Sequence, residues 1–125
     1  MNRFASHKYP LASLLLLVAV LNPTLGATGS APANSPRVIE ITAKRFAFTP
    51  DQITLKKGET VKLRLTSVDV THGFFLRQLK IDEDIEPGKV TEITVTPQTA
   101  GTFSTICDHF CGANHGNMKM TIVVE

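Results

Sequence analysis

Soft metal ligands are concentrated near the C-terminus of the sequence. Within the twelve residues 107–118 lie two cysteines, two histidines and a methionine, namely Cys107, His109, Cys111, His115 and Met118. Thiolate, imidazole and thioether groups favour copper, and a thioether argues against calcium or magnesium. A further histidine, His72, lies far upstream. This combination of residue types predicts a copper site.

The preceding residues predict the strands that would position these ligands. Beyond the N-terminal third the apolar residues alternate, most clearly at Val61, Leu63 and Leu65, and turn sequences such as Lys57-Gly58-Glu59 separate the runs. About seven short strands without a long helix predict a small antiparallel β-sandwich. In such a fold an early residue such as His72 can lie beside the loop that joins the last two strands.

The first 27 residues predict a secretory signal peptide. A basic start with Arg3 and Lys8 precedes the apolar run Leu11–Leu21 and a segment of small residues. The apolar run has 11 residues, whereas a membrane-spanning helix needs about 20. We therefore expect export to the periplasm or the outer face of the cytoplasmic membrane, a disordered linker over residues 28–36 and a folded domain over 37–125.

Charge excludes some partners. Of the 13 Lys and Arg residues, Arg3 and Lys8 lie in the predicted signal peptide, which leaves 11 against 11 Asp plus Glu. A neutral chain without a basic stripe does not favour nucleic acid. Contact with a membrane is expected only through a partner or an uncleaved signal peptide.

The cysteines allow two other interpretations. In an exported protein Cys107 and Cys111 could form a disulfide, although such a short bridge constrains the unfolded chain little. A structural zinc site is the second alternative, but it would leave Met118 without a role. Singly, His72 could be a buried histidine and His115 a loop histidine. Their joint spacing with the cysteines favours a metal site.

The whole ligand pattern resembles a known family of copper domains. It is similar to the domain of cytochrome c oxidase subunit II that houses the dinuclear CuA centre, and to the corresponding domain of nitrous-oxide reductase. The family pattern is an upstream histidine followed by C-x-x-x-C-x-x-x-H-x-x-M, which this sequence matches with His72, Cys107, Cys111, His115 and Met118. The resemblance spans residues 37–125 and implies a cupredoxin-like Greek-key antiparallel β-sandwich.

The resemblance also implies ligand roles. Cys107 and Cys111 would bridge two copper ions as thiolates, and Met118 would give a weak thioether contact. His72 and His115 would each bind one copper through an imidazole nitrogen.

Position 109 departs from the family pattern. The residue there would supply its main-chain carbonyl, and oxidase subunits usually carry glutamate where this chain has His109. The substitution leaves the carbonyl in place and adds an imidazole beside the site.

Full coordination leaves no open position for a substrate, so the resemblance implies an electron carrier and not an enzyme by itself. Expected redox partners are cytochrome c or a terminal oxidase or reductase of a respiratory chain. Because no long membrane-spanning segment precedes the domain, we expect a soluble shuttle or an accessory piece of an oxidase. Two alternatives stay open: a mononuclear type 1 blue-copper carrier that uses one copper, and a copper chaperone or store that delivers metal to an oxidase.

Overall fold

The computed structural model describes residues 35–125, so the predicted signal peptide and residues 28–34 of the predicted linker lie outside the described residues. The described range forms nine strands: β1 Arg37–Lys44, β2 Ala47–Thr49, β3 Gln52–Leu55, β4 Val61–Ser67, β5 His72–Leu76, β6 Ile81–Ile85, β7 Thr91–Val95, β8 Gly101–Ile106 and β9 Lys119–Val124. Two short 3₁₀ turns occupy Arg77–Leu79 and His115–Asn117. Within this range no helix is long and apolar enough to span a membrane.

The strands form two sheets that pack as a sandwich. The first sheet has the order β2-β1-β4-β7 and the second has the order β3-β9-β8-β5-β6. The pairs β1–β4 and β3–β9 are parallel, and the other pairs are antiparallel. The β-sandwich prediction is confirmed, and its sheets are mixed and not wholly antiparallel. Alternation of apolar residues shows which face is buried, but it does not show which strand lies alongside.

The core lies between the two sheets and follows the period-two pattern. Along β4 every second residue from Val61 to Ser67 is buried. Phe48 on β2 meets Phe74 on β5 edge to face, with ring centroids 5.5 Å apart, and so joins the two sheets. Burial of one such large apolar side chain stabilises the fold by about 1.5–3 kcal/mol. The sandwich is therefore a stiff frame for its loops.

Strand directions bring the predicted ligands to one end of the sandwich. β5 runs antiparallel to β8, with Phe75 opposite Ile106, so the start of β5 lies beside the residues that follow β8. We call this the ligand end and define it by segments 45–46, 67–72 and 107–118. Arg37 and Val61, which begin the parallel strands β1 and β4, lie at the opposite end.

Candidate metal centre

His72 is the first residue of β5 and its side chain is fully buried. Its Nε2 atom lies 2.7 Å from Oδ1 of Asp69, and its Nδ1 atom lies 3.9 Å from Sγ of Cys107. Because a carboxylate can only accept, Nε2 is the donor to Asp69, which leaves Nδ1 facing the cysteine. The ring is thus oriented to bind a metal through Nδ1.

Asp69 can orient His72 because its own carboxylate is fixed. Oδ1 accepts a hydrogen bond from the amide of Val70 at 2.8 Å, and Oδ2 accepts one from the amide of Arg45 at 2.9 Å. Burial raises the pKa of Asp69, but these amides and the His72 imidazole together outweigh it and hold the pKa below its ordinary value. The carboxylate is therefore charged at neutral pH and keeps its acceptor role.

The two cysteines are free, buried and directed at each other. Cys107 follows β8 and Cys111 lies four residues further along the loop, with the Sγ atoms 3.5 Å apart. A disulfide bond would need about 2.05 Å. Burial, reinforced by the neighbouring Cys107 thiol, raises the pKa of Cys111 to about 11. Cys111 is therefore a thiol at neutral pH in the metal-free chain, and metal binding has to displace its proton.

Two weaker donors face the cysteines. Sδ of the fully buried Met118 lies 3.9 Å from Sγ of Cys111. The carbonyl oxygen of His109 lies 3.1 Å from Sγ of Cys107. The loop closes on itself because the Cys107 amide donates to the Met118 carbonyl at 3.0 Å. A thioether and a carbonyl oxygen therefore line the same small volume as the two thiols.

The imidazole of His109 is directed away from the thiols. Its Nδ1 atom lies 3.2 Å from Oδ1 of Asp84 on β6, and both side chains are largely exposed. Only the main chain of His109 therefore faces the cysteines, which is the arrangement that the resemblance implies.

His115 stands apart from the tightest group of ligand atoms. The structure brings ligand atoms of His72, Cys107 and Cys111 within 4.8 Å of one another, and His115 is not among them. His115 begins the second 3₁₀ turn, and its ring lies 5.1 Å from that of the exposed Phe110. Its Nδ1 atom is buried without a hydrogen-bond partner in residues 35–125. An unsatisfied buried polar atom costs about 1–3 kcal/mol, which a bound metal would offset.

Gly73 lets β5 approach the ligand loop closely. A Cβ atom at this position would collide with the Asp108 side chain and would lie 2.6 Å from the amide nitrogen of His109. The Gly73 amide also lies 3.4 Å from Sγ of Cys107 and donates toward it. Such a hydrogen bond favours the thiolate form that a metal needs.

Residues 11–124 match the model of the cupredoxin-like domain family. The chain belongs to this family. This match, with the His72, Cys107 and Cys111 cluster, supports a copper site in this cupredoxin.

Known relatives agree with the predicted resemblance. The cupredoxin is 33% identical over 87 residues to cytochrome c oxidase subunit 2 of Thermus thermophilus, which covers 70% of this chain and 64% of that protein. It is 33% identical over 91 residues to nitrous-oxide reductase of Cupriavidus necator, which covers 70% of this chain and 14% of that protein. The predicted resemblance is confirmed, and the chain spans less than two thirds of the length of these curated relatives.

A solved structure supports the fold. The periplasmic domain of subunit II of the cytochrome oxidase of Bradyrhizobium japonicum superposes with a TM-score of 0.66 at 20% identity. The superposition covers 71% of this chain and 83% of that one. At this identity the likeness establishes the cupredoxin fold.

The donor set of this cupredoxin fits a soft metal ion. Two ligands that each lie about 2.3 Å from one metal are about 3.8 Å apart at a tetrahedral angle. The separations from Cys107 to His72 and Cys111, and from Cys111 to Met118, are 3.9, 3.5 and 3.9 Å. Thiolate and thioether donors favour copper over calcium or magnesium. A surface cavity of about 400 Å³ contains none of these ligands and lies near Lys80, at the other end of the sandwich.

Three residues around the site were not predicted. Arg45 gives no sign in the sequence of its contact with the loop, and Gly73 gives no sign of what approaches it. Asp69 could have been found, since ligating histidines commonly donate to a nearby carboxylate and Asp69 lies three residues before His72.

Proposed function

We propose that this cupredoxin binds two copper ions in a CuA-type site and carries single electrons for a respiratory oxidase or reductase. The observation that carries this proposal is the buried pair of free thiols, Cys107 and Cys111, with Sγ atoms 3.5 Å apart. Further donors lie beside this pair, the His72 imidazole 3.9 Å from Sγ of Cys107 and the Met118 thioether 3.9 Å from Sγ of Cys111. One copper needs only one thiolate, so a matched pair favours two.

In this proposal each donor has a separate role. Cys107 and Cys111 would supply the thiolates that hold both ions, and His72 and His115 would each supply an imidazole nitrogen. The remaining contacts are the thioether of Met118 and the carbonyl oxygen of His109. Bound copper supplies the chemistry, which is the uptake and release of one electron.

The protein contributes a site that changes little between its two oxidation states. His72 is fixed on β5 by the Asp69 carboxylate, and Cys107 directly follows β8. Both cysteines are only 3% exposed, so water is largely excluded. Ligands held by a stiff frame in a dry site need little rearrangement when the charge changes. This favours fast electron transfer, and it disfavours a chaperone or store, whose metal must exchange readily.

The proposed contact for a redox partner is the surface around His115. Phe110, whose ring packs on His115, is 72% exposed. Val68, which is 61% exposed, lies within the ligand end, and Ile106, which is 43% exposed, directly precedes Cys107. A small apolar contact of this kind suits a short-lived complex. We propose cytochrome c or a terminal oxidase or reductase as the partner.

The proposed location is the periplasm or the outer face of the cytoplasmic membrane. The support is the basic and then apolar sequence of residues 1–27, followed by a domain over 37–125. Membrane contact would come through a partner or an uncleaved signal peptide.

The type 1 alternative receives no support from the tight group of ligand atoms, because that group holds both Cys107 and Cys111 and leaves out His115. A site built on Cys111, His115, Met118 and His72 would hold one copper and leave Cys107 without a role.

Copper content and spectra decide between these functions. The purified protein is reduced, loaded with copper and analysed for copper per chain, optical absorption and electron paramagnetic resonance. Two coppers that share one unpaired electron are the expected result. One copper with a strong blue thiolate band would establish the type 1 alternative. No copper, together with no free thiols, would mean that Cys107 and Cys111 form a disulfide.

A further inference from the structure

Arg45 contacts both halves of the proposed site, although it is not itself a proposed ligand. It lies between β1 and β2 in the first sheet, whereas His72 and the cysteines belong to the second. Its backbone amide donates to Oδ2 of Asp69 at 2.9 Å, and Oδ1 of the same carboxylate contacts His72. Its side-chain Nε atom donates to the carbonyl oxygen of Cys111 at 2.6 Å. Arg45 thus connects the imidazole half of the site to the thiol half.

The chain around Arg45 also fits closely against the residue after Cys111. Gly112 has φ +142°, a conformation that L side chains rarely adopt, and a Cβ atom there would lie 2.9 Å from the ring of Phe46. Phe46 in turn packs against the hydrophobic core. The segment 45–46 therefore supports Cys111 and Gly112 from the first sheet.

We propose that Arg45 is a positioning residue, whose side-chain hydrogen bond holds Cys111 at a fixed place relative to His72. The consequence for copper rests on the proposed function, but the contact itself does not. In a loop of twelve residues between β8 and β9, this bond ties the second thiol to the opposite sheet. It therefore selects one loop arrangement before a metal binds.

Arg45 also brings a permanent positive charge to the loop. A guanidinium is positively charged at every pH of interest, so the test has to separate the side-chain hydrogen bond from the charge.

Three substitutions separate the hydrogen bond from the charge. In Arg45→Gln the amide Nε2 is bonded to Cδ, as Nε is in arginine, so a donor remains without the charge. Arg45→Lys keeps the charge but has a methylene group at that position. Arg45→Met keeps a similar stem and has neither.

Arg37 provides a matched control. It is also an exposed arginine of the first sheet, and it donates to a main-chain carbonyl, that of Thr54, and to the Glu59 side chain. It lies at the end opposite to the ligands. Arg37→Met therefore removes the same kind of contacts far from the site.

The first measurement is hydrogen exchange of the amides in segment 107–118 in the reduced, copper-free protein. Loss of one hydrogen bond should speed exchange there about three- to tenfold in Arg45→Met and Arg45→Lys. Arg45→Gln should stay close to the wild type, and Arg37→Met should leave the segment unchanged. The second measurement is the copper paramagnetic resonance spectrum, which should change in the Met and Lys variants and be restored in the Gln variant.

Two results would overturn the proposal. One is exchange and copper spectra in Arg45→Met that match those of Arg37→Met. The other is exchange and copper spectra in Arg45→Gln that match those of Arg45→Met, together with wild-type behaviour in Arg45→Lys. The charge of Arg45, and not its hydrogen bond, would then be responsible. If the wild type takes up no copper, the proposed function fails, and the exchange measurement still decides the role of Arg45.

Discussion

The two histidines of the proposed site are held in opposite ways. His72 begins a strand, is fully buried and contacts the Asp69 carboxylate through Nε2. His115 begins a short turn in a loop and packs on the exposed Phe110, and its buried Nδ1 atom has no hydrogen-bond partner among residues 35–125. The protein therefore fixes the direction of one imidazole before a metal binds. The other imidazole would gain a partner for Nδ1 only from a bound metal.

Because of this difference, we expect the two histidines to contribute unequally to the stability of the metal-free fold. His72 belongs to the core, so changes there should affect folding as well as metal binding. The His115 side chain leaves a buried Nδ1 atom unpaired among residues 35–125, so its removal should not destabilise the metal-free fold. The half-buried His115 beside the exposed Phe110 is also the side on which we propose the contact with a redox partner.

The largest expected effect is the loss of the ligand that both copper ions would share. Cys111→Ser should lower the copper content from two ions per chain to one or none and abolish the shared-electron spectrum, because a hydroxyl is a poor replacement for a soft bridging thiolate. Copper analysis and paramagnetic resonance measure this. An unchanged spectrum and copper count would show that Cys111 does not bridge.

Replacing each histidine in the metal-free, reduced protein tests whether the two contribute differently to stability. His72→Ala should lower the free energy of unfolding by about 2–4 kcal/mol, since it opens a buried cavity and leaves Asp69 without its partner. His115→Ala should not lower it, because the substitution also removes the buried Nδ1 atom that has no partner among residues 35–125. Denaturant unfolding gives both values. Equal losses in the two variants would contradict the distinction drawn here.

The proposed ligands could be predicted from sequence because most of them lie in one short segment. Cys107, Cys111, His115 and Met118 lie close together along the chain, so their spacing can be seen in the sequence without knowledge of the fold. The contacts of Arg45 depend on which loops the topology brings together. Local sequence carries no record of that, because a side chain gives no information about a partner 66 positions away.

The strands show the same division. The alternation of apolar residues predicts β4, whereas the residues of β6 show no such alternation. Only Ile81 and Ile85 of β6 are buried, and its three central residues are acidic and exposed. An edge strand of this kind lacks the alternating pattern of a half-buried one. β6 is positioned by its pairing with β5, and the pattern of residues in β6 does not reveal that pairing.

A moderate effect is expected where β5 approaches the ligand loop. Gly73→Ala should lower the free energy of unfolding by about 1–3 kcal/mol and displace the main chain at Asp108 and His109, because there is no room for a methyl group. Gly116→Ala is the matched control, since nothing lies within 4 Å of a Cβ atom there. Denaturant unfolding and hydrogen exchange of segment 107–118 measure both effects. A Gly73→Ala variant as stable as Gly116→Ala would show that the close approach is not required.

The smallest effect on stability is expected from substitution of two buried methionines, Met118 and Met120. The same pair tests whether the Met118 thioether acts as a weak ligand. Met118→Leu and Met120→Leu conserve volume, so each should cost less than about 1.5 kcal/mol. Only Met118 lies next to Cys111. Its loss should leave copper bound but raise the reduction potential, because removal of an electron donor destabilises the oxidised site more than the reduced one. Met120→Leu should leave the potential unchanged in voltammetry. If both variants shifted the reduction potential equally, general packing and not the thioether would set it. The ligands in the buried part of the site would then be His72 and the two cysteine thiolates alone.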